Sequence, residues 1–258
     1  MRRSCCSKKE RKTDMKVLCV IPARYASTRL PGKPLKDICG KPMVVRVYER
    51  AARASRVTDT IVATDDERIY TAVRQAGGKA MMTKKDHPTG TDRLAEVAAA
   101  HPEAELIINV QGDEPLIEPK LIDDLAAAFD DDPELQMATV KTEITDPEEQ
   151  KNPNNVKVVT ARNGYALYFS RSLMPFPRHE GTPVYKHIGI YAYKRDFLLQ
   201  YAEMAETPLE HAESLEQLRA LENGYRIRVI ETPYRFVGVD TAEDLEKVRA
   251  IYSEEGNQ

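Results

Sequence analysis

The segment Ala23-Arg24-Tyr25-Ala26-Ser27-Thr28-Arg29-Leu30-Pro31-Gly32-Lys33 puts three cations, Arg24, Arg29 and Lys33, in one turn-rich loop directly after an apolar run. Guanidinium forks and an ammonium point charge are what a polyphosphate requires. Ser27, Thr28 and the loop's backbone N–H groups add donors. The loop is not a Walker A sequence, because Ser27 stands where its first glycine would fall and Pro34 follows Lys33; nor does the chain contain GxGxxG. A solvated basic loop is the bland alternative. Three cations bracketed by Pro22 and Pro31-Gly32 favour phosphate binding over it.

Two carboxylates complement these cations. Asp113, in Gln111-Gly112-Asp113-Glu114-Pro115, follows the apolar run 106–110, and Asp240, in Gly238-Val239-Asp240-Thr241, precedes a helical pattern. A carboxylate at a strand's carboxyl end, beside a glycine, suits Mg²⁺, which takes one or two protein carboxylates and completes its shell with phosphates and water. Asp240 read alone is equally a carboxylate favoured by a helix dipole. The pair gains weight only if the fold brings the two together. Asp86 to Arg93 is a further loop entering a helix, where Thr91 or Asp92 caps the start and Arg93 is either exposed or turned to an anion or base edge. His187, Gly189 and Tyr191 share one strand face by period 2, which suits a polar ligand or a buried hydrogen-bonded histidine. Arg171 ends a strand and can fork onto a carboxylate. Glu216 and Gln217 lie on a helical stretch, where the alternatives are hydroxyl recognition and a solvated face.

These loops need a frame, and the hydrophobic pattern supplies one. Continuous apolar runs at 17–21, 60–64 and 106–110 predict strands buried on both faces. Helical patterns at about 42–54, 66–75, 91–100 and 119–129 alternate with them, and shorter strands are expected at 79–83 and 137–142. This is an α/β chain with a parallel sheet covered by helices on both faces. Ligands in such sheets bind beyond the carboxyl ends of the strands, where the loops 23–34, 86–93 and 111–115 can meet. After residue 140 the pattern predicts a hairpin (155–160 and 165–170), a strand at 185–193, helices at 195–205 and 209–222, a strand at 227–231, and a last helix capped by Thr241. The second half reads as a lid or subdomain built onto the same sheet.

The 258 residues suffice for a substantial core, and no stretch approaches the ~20 apolar residues of a membrane span. A net charge of −3 argues against bulk affinity for nucleic acid. Residues 1–14 hold six Lys/Arg against two Asp/Glu, a net +4 that leaves −7 for the remainder. They read as a basic, disordered extension before a start at Met15, with residues 15–258 as one domain. Cys5, Cys6, Cys19 and Cys39 form no CxxC or zinc spacing, so a reducing compartment is expected.

Taken in order, IPARYASTRLPGKPL, VATDD, TGTDRLAEV, NVQGDEP, NPNNVKVV, GYALYFSR, HIGIYAY, PLEHAESLEQLRALENGYRI and GVDTAEDLEKV resemble the 3-deoxy-manno-octulosonate (Kdo) cytidylyltransferases over residues 17 to about 250. The resemblance implies a GT-A-like, Rossmann-related nucleotidyltransferase fold, with a mixed, mostly parallel sheet flanked by helices and a smaller dimerisation or lid subdomain. It implies a cytoplasmic homodimer that makes CMP-Kdo and diphosphate from CTP and Kdo for lipopolysaccharide biosynthesis. It assigns Mg²⁺ to Asp113 and Asp240, and catalysis to these two and Lys33. Ala23, Arg24, Arg29, Lys33 and Arg93 are expected at CTP, and Gln111, Arg171, His187, Tyr191 and Glu216 at the sugar. The chain departs from the family in a short segment between Arg171 and His187, in Lys186 for a common Arg, and in Thr89 and Asp92 for frequent Ser and Glu. Enzymes acting on 8-amino-Kdo or on sialate are sibling alternatives. A non-catalytic nucleotide binder and a GT-A glycosyltransferase are more distant ones; the first would not need both aspartates, and the second would show DxD.

Overall fold

The computed structural model describes residues 15–26, 29–130, 132–234 and 236–255. The first half runs β1 (Val17–Ala23), a 3-10 turn (Lys33–Leu35), β2 (Asp37–Ile38), β3 (Lys41–Pro42), α1 (Met43–Ala51), β4 (Asp59–Thr64), α2 (Glu67–Gln75), β5 (Ala80–Met82), α3 (Gly90–Ala100), β6 (Leu106–Asn109) and α4 (Pro119–Ala127). The second half runs β7 (Met137–Glu143), α5 (Pro147–Lys151), β8 (Lys157–Thr160), β9 (Ala166–Ser170), β10 (Tyr185–Lys194), α6 (Arg195–Ala202), α7 (Pro208–Glu213), α8 (Gln217–Glu222), β11 (Ile227–Glu231) and α9 (Ala242–Glu255).

Side chains alternate across a strand, and β1 shows why its sequence is apolar without interruption. Val17, Cys19, Ile21 and Ala23 enter one core, with residues of α1, α2 and α4, while Leu18 and Val20 enter a second on the opposite face, with residues of α3, α6 and α8. Cys19 is completely buried, and burial pushes its thiol up to about 12, which makes it an inert packing group. β4 and β6 flank β1 in parallel, and β5 extends the sheet beyond β4. On the other side the order continues β6-β10-β7-β11. β10 runs antiparallel to both β6 and β7, and β11 pairs parallel with β7. The result is a mixed, mostly parallel sheet with helices on both faces. The β8–β9 hairpin stands off this path and joins β10 at Lys186 and Lys157.

The largest departure from the sequence pattern is in 209–222. In place of one helix there are α7 and α8, with Ser214 between them in the left-handed region (φ 51°). Contacts from 43 residues away impose the break. Ser170 Oγ donates to Glu213 Oε1 (2.6 Å), and Arg171 Nε donates to the Glu213 carbonyl (2.7 Å). The end of α7 is thereby capped by another element, and propensity yields to tertiary contact. Arg219 of α8 forks onto Glu210 of α7 (2.7 Å from Nε to Oε2), and both side chains are largely buried. The short pair β2–β3 and helix α5 were also not expected from the pattern.

Among the described residues no helix is long and apolar enough to cross a membrane. The α7–α8 corner depends on the Arg219–Glu210 fork, because removing one member of a buried pair strands the other. Glu210→Ala is expected to lower the unfolding free energy by about 3 kcal/mol in urea titrations. A loss below about 0.5 kcal/mol would show that the corner is held by packing alone.

Candidate active site

Asp113 and Asp240 lie 127 residues apart in the chain, and two backbone features bring them together. Gly112 lets the turn after β6 lie against the end of β1; a Cβ there would stand 2.8 Å from the Pro22 carbonyl oxygen. Val239 N–H then donates to the Asp113 carbonyl (2.9 Å), which docks the 238–240 segment on that turn. Helix α9 holds the segment from behind. Thr241 and Asp244 cap its start reciprocally, and Val239, Leu245 and Val248 pack on Leu30, Ile38 and Met43. The Tyr252 hydroxyl donates to the Pro115 carbonyl (2.6 Å).

Lys33 stands between the two carboxylates. Its Nζ is 2.6 Å from Asp113 Oδ2 and 3.2 Å from Asp240 Oδ1, and Arg29 Nη2 reaches the same Asp240 oxygen at 3.1 Å. The cleft around them has a volume of about 340 Å³ and includes Ala23, Arg24, Arg29, Lys33, Gln111 and Asp113 in its lining. One cation already fits between two carboxylate oxygens. Two carboxylate oxygens beside an open cleft fit Mg²⁺, which takes one or two protein carboxylates and completes its shell with phosphate and water. Ser27 and Thr28, expected as extra phosphate donors, lie outside the described residues.

Arg24 has a second task. Its Nη2 donates to the carbonyls of His87 (2.8 Å) and Thr89 (3.0 Å), tying the cation loop to the start of α3. The α3 cap is Thr89 with Asp92 in a reciprocal box, not Thr91 or Asp92 as cap. Thr91 is freed to donate to Glu216 Oε2 (2.6 Å), which joins α3 to the start of α8. Arg93 is fully buried. It bonds Thr83 Oγ1 through Nη1, while Nε and Nη2 have no hydrogen-bond partner, and Asp65 Oδ1 lies 3.7 Å away. Burial lowers its pKa despite that neighbour. His87 pairs with Glu96.

On the other side of Gln111, its Nε2 donates to the Gly189 carbonyl of β10 (3.1 Å). His187 is buried against the Phe169 ring edge and beside the Tyr191 ring. Burial pushes its imidazole down to about 3, so the ring is neutral. The Tyr191 phenol is pushed well above its ordinary value by the same cause. Arg171 is committed in this structure to the carbonyls of Glu213 (2.7 Å), Pro153 and Ser214 (both 3.3 Å). Cleft and β10 are thus joined through Gln111, and α3 and α8 through Thr91, whereas Arg171 and Arg93 are absent from the cleft lining.

Sequence reasoning missed Glu114. Its Oε2 is buried without a hydrogen-bond partner, and desolvation followed by the charge of Asp113 raises its pKa to about 8. A glutamate in a loop beside an aspartate reads as solvated, so nothing in the sequence marked it. Thr91, Thr83 and Asp65 were likewise legible only as capping and strand-end residues.

Three cations and two carboxylates thus meet at the carboxyl edge of an α/β sheet, where such folds bind their ligands, and similarity to known proteins makes the chain a nucleotidyltransferase. The family model described as cytidylyltransferase matches residues 18–227. The 3-deoxy-manno-octulosonate cytidylyltransferase of Fusobacterium nucleatum is 57% identical over 235 residues, covering 91% of this chain and 96% of its own. That of Geobacter sulfurreducens is 56% identical over 246 residues, covering 91% and 98%. A solved CMP:2-keto-3-deoxy-manno-octonic acid synthetase, complexed with CTP, superposes with a TM-score of 0.89 at 50% identity, covering 93% of this chain and 99% of that one. The chain belongs to the 3-deoxy-manno-octulosonate cytidylyltransferase family.

The Glu114 shift has a signed consequence. A carboxyl whose folded pKa is raised contributes stability below its unfolded pKa, near 4.5, and loses it as pH rises through about 8. Without divalent metal, the stability of the wild type relative to Glu114→Gln should therefore fall between about pH 4.5 and 8 and level off above. Parallel urea-stability curves across pH 5–9 would contradict the buried, protonated carboxyl.

Proposed function

We propose that the protein activates Kdo by the reaction CTP + Kdo → CMP-Kdo + diphosphate. The convergence of Lys33, Asp113 and Asp240 on one point of the cleft is the observation that carries this reading. The anomeric hydroxyl oxygen of the sugar bonds to the α-phosphorus as it loses its proton. The α–β bridging P–O bond breaks, and diphosphate leaves with its electron pair. Such a reaction needs alignment and charge neutralisation more than covalent participation.

Arg24, Arg29 and Lys33 would hold the phosphates, with Lys33 leaving its carboxylate partners to meet charge on the α-phosphate. The Ala23 backbone would meet the nucleoside, as would Arg93 once its buried side chain is uncovered; its Nε and Nη2, which lack hydrogen-bond partners, suit the acceptor edge of cytosine. Asp113 and Asp240 would hold Mg²⁺, which, when bound, neutralises phosphate charge and polarises the reacting oxygens. Gln111, His187, Tyr191 and Glu216 would line the sugar pocket. Arg171 would take the sugar carboxylate by releasing a carbonyl it now holds.

Residues 15–258 form one nucleotidyltransferase domain in this reading, whose second half supplies the sugar pocket and the contact of a homodimer. Leu167 and Phe176, 63% and 83% exposed, support a partner surface there. Among the described residues Cys19 and Cys39 are both free thiols, which supports a reducing, cytoplasmic setting.

Diphosphate release with CTP and Mg²⁺ should be measured with Kdo, 8-amino-Kdo and N-acetylneuraminate in parallel. Release with Kdo at a kcat/KM at least about 10-fold above either other sugar is expected. Preference for the amino sugar would reassign the pocket and leave the phosphate and metal sites standing. Silence with all three, from protein that binds CTP, would contradict the assigned reaction.

A further inference from the structure

β10 carries an irregularity beside the cleft. Ile188 pairs with Val140 and Tyr191 with Thr139, so two additional residues, Gly189 and Ile190, are accommodated in β10 against adjacent residues of β7. Bulges of this kind re-aim side chains near active sites. Here the bulge separates His187 from Tyr191 and turns the Gly189 carbonyl to Gln111 Nε2.

Thr139 is the residue at the centre of that bulge. It is completely buried, and its Oγ1 lies 2.8 Å from the Ile190 carbonyl oxygen, 3.2 Å from that of Ile188 and 3.0 Å from His187 Nε2. A hydroxyl has one proton to give. If that proton went to His187 Nε2, two carbonyl oxygens would face the hydroxyl's lone pairs in a dry site. If it goes to the nearer carbonyl, of Ile190, the hydroxyl oxygen is left free to accept from an Nε2–H. The second arrangement makes two hydrogen bonds and leaves only the more distant Ile188 carbonyl facing a lone pair, whereas the first makes one and leaves both carbonyls so.

We propose that Thr139 is a positioning residue: it pins the β10 bulge and fixes His187 as the Nε2–H tautomer, leaving Nδ1 a bare acceptor for a sugar hydroxyl. No hydrogen bond to His187 Nδ1 occurs among the described residues, and Nδ1 is not one of their fully buried unpartnered atoms, which leaves it open to a ligand. Burial keeps the ring neutral, so no proton blocks Nδ1 at physiological pH. One threonine thereby sets three features of the sugar side: the tautomer of His187, the placement of Tyr191 beyond the bulge, and the carbonyl that orients Gln111. This inference rests on the sugar-side assignment of His187 above.

The test combines ring-nitrogen NMR with kinetics. In ¹⁵N-labelled protein, His187, assigned by its absence in His187→Gln, should show a protonated Nε2 and an unprotonated Nδ1. Thr139→Val should lose that single-tautomer signature and raise the Kdo KM about 10-fold, with the CTP KM changed less than about 2-fold. Thr139→Ser, which keeps the hydroxyl, should restore both properties. An Nδ1–H ring in the wild type overturns the proposal, as does a Thr139→Val protein with the same tautomer or an unchanged sugar KM. Should the wild type release no diphosphate with Kdo, the sugar assignment itself falls. The tautomers of the wild type and of Thr139→Val still decide whether Thr139 governs His187.

Discussion

The ammonium of Lys33 lies between two carboxylates that the chain delivers from opposite directions. Asp113 arrives on the turn after a central strand and Asp240 on the segment before the last helix, and each would repel the other without a cation between them. The rest of the structure serves that meeting. Gly112 permits the turn to touch β1, Val239 N–H binds the second segment to the first, and α9 is bolted down by Tyr252 and the cluster around Ile38. A ligand that takes Lys33 away must supply replacement positive charge. In the proposed function a nucleoside triphosphate arriving with a divalent cation would do this, and one geometry would then account for both the charged loop and the paired carboxylates.

The site has two electrostatic regimes. Arg29 is two-thirds and Asp240 nearly half exposed, so these charges can exchange partners at small cost. Around His187, Thr139 and Arg93 the side chains are buried, where a polar group without a matching partner is costly. Mobile charge suits phosphates that enter and leave. Fixed polarity suits discrimination between hydroxyl patterns or base edges, since an unmatched buried group is costly. Arg24 and Gln111 connect the regimes, the first to the α3 cap and the second to the β10 bulge.

The frame was legible because its physics is local. Short apolar runs such as 17–21 and 106–108, bounded by turn residues, suit strands covered on both faces, and the cation loop stood out against proline and glycine. What escaped the sequence was set by contacts between distant segments. The break at Ser214 is imposed by Ser170 and Arg171, and the burial of Arg93 by Thr83 and Asp65. Thr139 reads as an ordinary β-former until the bulge opposite it is seen. Glu114 reads as loop charge until the turn buries it. In each case the side chain's role depends on a neighbour that spacing along the chain does not reveal.

Asp113 and Asp240 would act as one cation site in the proposed function, and a double-mutant cycle tests this most directly. Diphosphate release would be measured for Asp113→Ala, Asp240→Ala and the double variant under saturating Mg²⁺ and CTP. If the two hold a single ion, each single substitution costs about 10³-fold and the double costs no more than the worse single. Losses that multiply would mean that the carboxylates act independently and that the geometry around Lys33 has been misread.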